Sequence, residues 1–509
     1  RQRQMCIRDR EKVNVIAVDL GASSGRVISG QFDGKQIKLK EQYRFSNHPV
    51  EINDRLNWDY LKIFQEVKRG LALTMRDLGH LDSLSVDTWG VDYGLLTKEG
   101  EVLFAPHCYR DSRTSPYEAE FAERLPAKQL FRMTGNAPDR INTNLQVFAD
   151  LQRAPFLKRT VDQLLMMPSL IEYFFSGIKQ NEFTIASTTG LLDVRTKNWN
   201  TKVLNRLEIP AEWFADVVIG GANLGPIRQA ISEEIKVSAE MRVISGVGHD
   251  TAAALMALPL NEAERKQTAF ISCGTWSIVG LQNDQPIISE AAFEMGLTNE
   301  GCFDGSNRVL KNITGLWVIQ ELQKEWTYTG AEISFAKMQN EAAKAYSINS
   351  FIDLADVRFA EPRQMEEKIV AFLKETHQTL PKNRGQLIRA VLESLAFSYR
   401  QVIEKLEKLT GTTLQKVHMF GGGIQNQLLV QLTADFTQRK VVTGPVEASV
   451  LGNVVAQLKV LGKITDPVKL DVLANTVDVQ DFNPTEIPGL EQKYAQFMRI
   501  LAANNTEGK

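Results

Sequence analysis

IAVDLGASS (Ile16–Ser24) and AFISCGTWS (Ala269–Ser277) are the two stretches on which the fold turns. Each reads as an apolar strand, a turn of small residues and the start of a second strand. Gly21 aligns with Gly274, about half the chain apart. Two such hairpins, each opening one half, suggest a duplicated α/β fold with a cleft between the halves; that any two strand-turn-strand units look alike is the alternative. Outward from the first hairpin, Val13–Asp19 and Val27–Phe32 are the predicted strands, with Gly21–Gly25 as the turn between them. Trp58–Leu78 carries Leu61, Phe64, Val67, Leu71, Met75 and Leu78 at helical spacing, and Ser83–Asp87 and Tyr93–Leu96 read as short strands. Outward from the second, Leu387 to Leu409 forms the apolar stripe of a long helix that Gly411 stops.

At 509 residues, 43% hydrophobic and 24% charged, the chain exceeds what one core serves, so two domains are expected. Pro259 and the charged run Asn261–Lys266 mark the boundary. The expected division is an extension at 1–12, a domain over 13–258, a second over 259–485, and a C-terminal helix and tail over 486–509. Fifty-nine Lys and Arg stand against 61 Asp and Glu, a net charge of −2. That balance lacks the basic excess of a nucleic-acid or anionic-membrane binder. No apolar run approaches the roughly 20 residues of a membrane span. Cys6, Cys108, Cys273 and Cys302 show no CxxC spacing, so neither a disulfide framework nor a zinc site is indicated and a cytoplasmic setting is expected.

Four segments carry candidate chemistry. In Asp19–Arg26 the small-residue turn exposes successive N–H groups to an anion. Ser23 and Ser24 add hydroxyls, Arg26 adds charge, and Asp19 is placed to hold a hydrated magnesium ion. A plain hairpin turn is the alternative. Gly421-Gly422-Gly423, between the strand Lys416–Met419 and the helix Gln427–Phe436, lets a flat ligand approach the backbone. In Gly248-His249-Asp250-Thr251, after the strand Val243–Val247 and before the helix Ala252–Ala257, Asp250 suits a general base; a helix N-cap explains the same residue. Asp87-Thr88-Trp89-Gly90 ends a strand with an indole that could face a sugar, or could close the core.

Further stretches join these: VDTWGVDYGLL (Val86–Leu96), YRDSRT (Tyr109–Thr114), TNEG (Thr298–Gly301), LKNITGLW (Leu310–Trp317) and GPVEAS (Gly444–Ser449). In this order they resemble the FGGY family of carbohydrate kinases, from Val13 to Gly452. Leu130–Gln152 keeps that family's TG and NTxxQ elements in looser form. The resemblance implies the two-domain actin-like, ribonuclease H-like fold of hexokinase, duplicated, with the active site in a cleft between the domains. It implies ATP as co-substrate, Mg2+ near Asp19, a small-molecule sugar as acceptor, and a monomer or weak homodimer. Residue by residue, Asp250 matches the catalytic base, and Gly90 and His249, with Asp250, the substrate contacts; Trp89 and Asp87 flank them. Thr275 matches a phosphate contact, Asn312, Gln320 and Gly422 nucleotide-binding positions, and Ala22, Ser23, Ser24, Gly25 and Arg26 the other phosphate loop. A catalytically silent nucleotide-binding member of the fold is the alternative, against which the intact Asp250, Asp19 and both turns argue.

Overall fold

A computed structural model describes residues 12–330 and 333–507. Apart from Lys12, the extension expected at 1–12 lies outside the described residues, as does Cys6. The chain forms two compact units. One comprises 1–260, 282–309 and 447–477; the other comprises 261–281, 310–446 and 478–509.

Six strands build the first sheet: β1 (Val13–Leu20), β2 (Ser24–Phe32), β3 (Ile37–Ser46), β4 (Ser83–Thr88), β5 (Ala222–Pro226) and β6 (Arg242–Ser245). Their order is β5-β6-β4-β1-β2-β3. β1 and β2 form the antiparallel hairpin, β4 and β6 run parallel to β1, and β5 turns back. β1 is buried along its whole length, as the apolar run Val15–Val18 at its centre requires of a central strand. The hairpin turn is tighter than expected. Register pairs Leu20 with Gly25 and Asp19 with Arg26, so Ser24, Gly25 and Arg26 belong to β2 and only Gly21–Ser23 turns. Gly25 is required because a Cβ there would lie 2.2 Å from the Phe45 ring.

The second sheet contains β7 (Thr268–Cys273), β8 (Trp276–Asn283), β9 (Thr298–Gly301), β10 (Asn307–Thr314), β11 (Lys416–Phe420), β12 (Lys440–Thr443) and β13 (Gln480–Phe482), in the order β9-β10-β8-β7-β11-β12-β13. Around the hairpin β7–β8 the pattern of the first sheet returns: two parallel strands, β11 and β12, follow on one side, and an antiparallel strand, β13, closes it. The repeat inferred from Gly21 and Gly274 is therefore a repeat of topology.

Helices cover the strands where periodicity places them. The helix Tyr60–Leu78 begins two residues later than its apolar spacing predicts, because the Asp59 side chain accepts from the Lys62 N–H and caps it; Trp58 is left to the core. The long helix Arg384–Thr410 is capped by Asn383 and ends on Gly411 at φ 67°. Among the described residues no helix is long and apolar enough to cross a membrane.

One buried carboxylate shapes the core beside β4. Asp92 accepts from Trp58 Nε1 (2.7 Å), Trp89 Nε1 (2.9 Å), Gln146 Nε2 (3.1 Å) and the Tyr109 N–H (3.1 Å). Burial nevertheless pushes its pKa up to about 6, because none of these neutral donors replaces full hydration. The folded state thus favours the protonated acid. That contribution is complete below the unfolded pKa of about 3.9 and is lost as pH rises through 6, a change of about 3 kcal/mol. The expected result is that the difference in melting temperature between the native chain and Asp92→Asn shifts between pH 4.5 and 6.5 and is constant above 7. A difference independent of pH would refute the assignment.

Candidate active site

The first unit gathers three carboxylates at the C-terminal ends of neighbouring strands. β1 and β4 run parallel with Asp19 opposite Asp87, and Thr88 bridges to His249, the residue before Asp250. Carboxyl ends of parallel strands are where open α/β sheets bind ligands. The three acids are not equivalent. Asp87 is fully buried, and burial pushes its pKa well above the ordinary carboxylate range, with the charge of Asp19 adding to the effect and a hydrogen bond from Asn453 Nδ2 (2.7 Å) opposing it. Asp19 is also raised, by burial above all, against the pull of Arg26. Asp250 goes the other way. Burial works to raise it, but the charge of His249, whose Nδ1 lies 2.7 Å from Oδ1, and hydrogen bonds from the Thr251 hydroxyl (3.1 Å) and N–H (2.5 Å) hold it below the usual value. Its side chain is 39% exposed, whereas Asp87 is sealed. Neighbouring acids whose pKa values are driven apart are the mark of divided acid–base roles.

Local structure bears on both readings of Asp250. The helix runs Asp250–Met256, two residues earlier than expected, and its N-cap is His249, whose Nδ1 lies 2.7 Å from Asp250 Oδ1. Asp250 is the first helical residue; its Oδ1 takes the Thr251 N–H at 2.5 Å, and its Oδ2 takes no hydrogen bond among the described residues. The loop before it is fixed from below. Buried Glu182 accepts from the Gly248 N–H (3.1 Å) and the Thr184 hydroxyl (2.5 Å), and that hydroxyl accepts from the His249 N–H (3.2 Å).

A second helix, Ala448–Val460, locks these elements together. A Cβ on Gly452 would lie 1.7 Å from the Ala253 carbonyl oxygen, so the helix carrying Asp250 is in backbone contact with it. Along the same helix Asn453 reaches Asp87, and Gln457 donates to the Ile16 carbonyl (2.9 Å) and accepts from Ser83 Oγ (2.6 Å). Asp19 and Arg26, opposed across the hairpin, form an ion pair, and Arg26 also reaches Glu447 at 2.5 Å. The turn itself leaves Ser23 exposed.

Elsewhere in this unit, Trp89 sits in the core, 8% exposed, its ring 4.3 Å from that of Trp58. Its N–H is satisfied by Asp92, which explains why the indole turns inward rather than toward an open surface. Gly90 packs on Thr188, which would stand 3.2 Å from a Cβ.

The second unit holds a cavity of about 470 Å³. Thr275, Gln320 and Gly422 come together in its wall, and the Thr275 hydroxyl donates to Gln320 Oε1 at 3.0 Å. Asn312 lies on β10, exposed, and does not line it. Leu316, Ile319, Phe335, Met338 and Ile388 make one side apolar, as a flat aromatic ligand requires. The glycine turn presses on the end of β7: a Cβ on Gly423 would meet Cys273 Sγ at 2.2 Å. As expected, the helix begins at Gln427, after the whole turn. Within the turn Gly422–Gln425 is a short 3₁₀ segment, and Asn426 caps the helix Gln427–Thr437. Glu182, Asn453, Glu447, Phe335 and Ile388 were not singled out from sequence, since each acts only through contacts with distant residues.

The chain matches the sequence model of the FGGY carbohydrate kinase N-terminal domain over residues 14–257 and that of the C-terminal domain over 269–460. It belongs to the FGGY family of carbohydrate kinases. Curated relatives include a rhamnulokinase of Bacteroides thetaiotaomicron, 33% identical over 96% of this chain and 100% of the relative. Another, from Oceanobacillus iheyensis, is 35% identical over 89% of this chain and 94% of the relative. Solved structures share the fold: a xylulose kinase from Rhodospirillum rubrum (TM-score 0.79, 16% identity, covering 97% and 98% of the two chains) and a Plasmodium falciparum glycerol kinase with ADP (0.79, 14%, 96% and 98%). As an FGGY kinase the protein is an enzyme whose small-molecule substrates are a sugar and ATP.

Proposed function

We propose that this kinase transfers the γ-phosphoryl group of ATP to the 1-hydroxyl of L-rhamnulose, giving L-rhamnulose 1-phosphate and ADP. The observation that carries the chemistry is the inequality of the three carboxylates: Asp250 alone is both held ionised and exposed enough to meet a sugar hydroxyl. The choice of sugar is supported by relatives named rhamnulokinase that align over most of their length.

In this reading the hydroxyl oxygen forms a bond to the γ-phosphorus, the bond from that phosphorus to the β–γ bridging oxygen breaks, ADP departs with the electron pair, and the hydroxyl proton passes to Asp250. Phosphoryl transfer proceeds through a loose transition state, so Asp250 orients the hydroxyl and takes its proton late. His249 and Thr251 hold one carboxylate oxygen and leave the other for substrate. Gly90 and His249 border the sugar. Thr275, Gln320 and Gly422 line the cavity that would take the nucleotide, and in the first unit Ala22, Ser23 and, at the start of β2, Ser24 carry N–H and hydroxyl groups suited to a phosphate.

The residues fit a hydrated magnesium ion. Asp87 Oδ1 is buried with no hydrogen-bond partner among the described residues, and Asp19 offers a second hard oxygen, partly engaged by Arg26. Among the described residues no three His, Cys, Asp or Glu side chains converge as direct ligands, so Asp19, the one of the pair that reaches the surface, would hold the ion through its waters, with Asp87 buried behind it. Bound there, magnesium supplies charge neutralisation to the phosphates.

A coupled assay of ADP release over L-rhamnulose, L-fuculose and L-xylulose tests the proposal. L-rhamnulose is expected to give the highest kcat/KM, with little ADP when sugar is omitted. A different best ketose would overturn the substrate assignment, and ADP release indifferent to sugar would overturn the reaction.

A further inference from the structure

The TNEG stretch supplies a residue next to the base to which nothing above gives a role. Glu300 on β9 and Arg308 on β10 both belong to the first unit, with His249 and Asp250. Arg308 is fully buried, and two of its nitrogens bind one oxygen of Glu300: Nη2 at 2.6 Å and Nε at 3.1 Å from Oε2. The third, Nη1, donates to the Gly301 carbonyl. A guanidinium so arranged fixes the carboxylate in one orientation. His249 Nε2 lies 3.8 Å from the same Oε2, while its Nδ1 faces Asp250 at 2.7 Å. The strand is itself anchored: Asn136 Nδ2 donates to the Asn299 carbonyl (2.8 Å), and the Gly301 N–H donates to Ser187 Oγ (2.7 Å).

Arg308 thus consumes Oε2 and leaves Oε1, which takes no hydrogen bond among the described residues. A carboxylate needed only to neutralise buried Arg308 would be sealed with it. Glu300 is 14% exposed, beside His249 at 12% and Asp250 at 39%. We infer that Glu300 is a specificity-determining residue, its Oε1 accepting a hydrogen bond from a sugar hydroxyl other than the one phosphorylated. Arg308 holds it in place, and His249 separates it from Asp250. This deepens the kinase reading and rests on it. The free oxygen is a hydrogen-bond acceptor, so the ligand class is a polyol sugar that offers a hydroxyl donor.

The test is steady-state kinetics on Glu300→Gln and Glu300→Asp in the full-length enzyme. Asp preserves the charge that Arg308 requires but withdraws the oxygens by one methylene, so it guards against misfolding of Gln; melting temperatures verify both. Loss of a hydrogen bond to a charged acceptor, present in ground and transition states alike, is expected to raise KM about tenfold or more in each variant, with kcat within about threefold. A role confined to neutralising Arg308 would leave KM for the sugar unmoved in Glu300→Asp. A series of ketoses, each lacking one hydroxyl, gives the second readout. Native enzyme should discriminate strongly at one position where Glu300→Gln does not. Unchanged KM in Glu300→Asp, or equal discrimination by native and variant enzyme at every hydroxyl, would overturn the inference. If another ketose proves best, the same comparison is run on that sugar, and if none is turned over, calorimetric titration of L-rhamnulose into the native enzyme and both variants decides it. Failure of the substrate assignment and failure of the Glu300 role are therefore read separately.

Discussion

Asp250→Asn is expected to bind ATP and sugar nearly as the native enzyme does and to lose about 10²–10⁴-fold in turnover, the usual worth of a positioned general base. The amide keeps the shape of the carboxylate and its contact with the Thr251 hydroxyl, which can serve as donor or acceptor, so the helix start should survive. What disappears is the negative oxygen that orients the sugar hydroxyl and receives its proton. The rate loss should be constant across neutral pH, because Asp250 is held below the ordinary carboxylate range and is already ionised there. ATP hydrolysis without sugar, where water is the nucleophile, should be weak in native enzyme and weaker in the variant. Single-turnover kinetics with calorimetric ATP binding separate the two effects. Turnover within a few-fold of native would remove Asp250 from the role of base.

Gly452→Ala is expected to damage both stability and catalysis, although it touches no substrate. In an exposed helix interior the same change would stabilise by about 1 kcal/mol. Here the added methyl would stand 1.7 Å from the Ala253 carbonyl oxygen, and backbone on both sides must move. Overpacking of this kind costs about 1–3 kcal/mol, enough to outweigh the propensity gain. The helix that moves begins at Asp250, and a displacement of about 1 Å can cost on the order of 10²-fold in rate. A lower melting temperature with turnover reduced tenfold or more, and nucleotide affinity little changed, is the predicted pattern. A variant as stable and active as the native chain would mean that the two helices are not locked by this contact.

Local signals were legible because they depend on neighbours in the chain. The apolar run of β1, the glycine in each hairpin turn, the Gly411 stop and the strand ahead of Gly421 are short-range facts of backbone conformation. So are Asp19 and Asp87, placed at strand ends by alternation and turn chemistry. The trimmed turn Gly21–Ser23 was not legible, since inter-strand register is set by pairing along the whole hairpin. Sequence offered Trp89 both a sugar-facing and a core position, and the choice was not legible, because Asp92 and Trp58 had first to be brought beside it.

By itself the sequence determined the duplicated α/β plan, through two matching hairpins half a chain apart, and marked Asp250, Thr275 and Gly422 as residues to watch. Only the tertiary structure decided which carboxylate stays charged, that Asn453 and Gln457 bind strand residues more than 360 positions earlier, and that Glu300 stands beside His249. The physical reason is range: hydrogen bonds, ion pairs and desolvation act over a few ångströms of space, and folding alone turns distance along the chain into proximity.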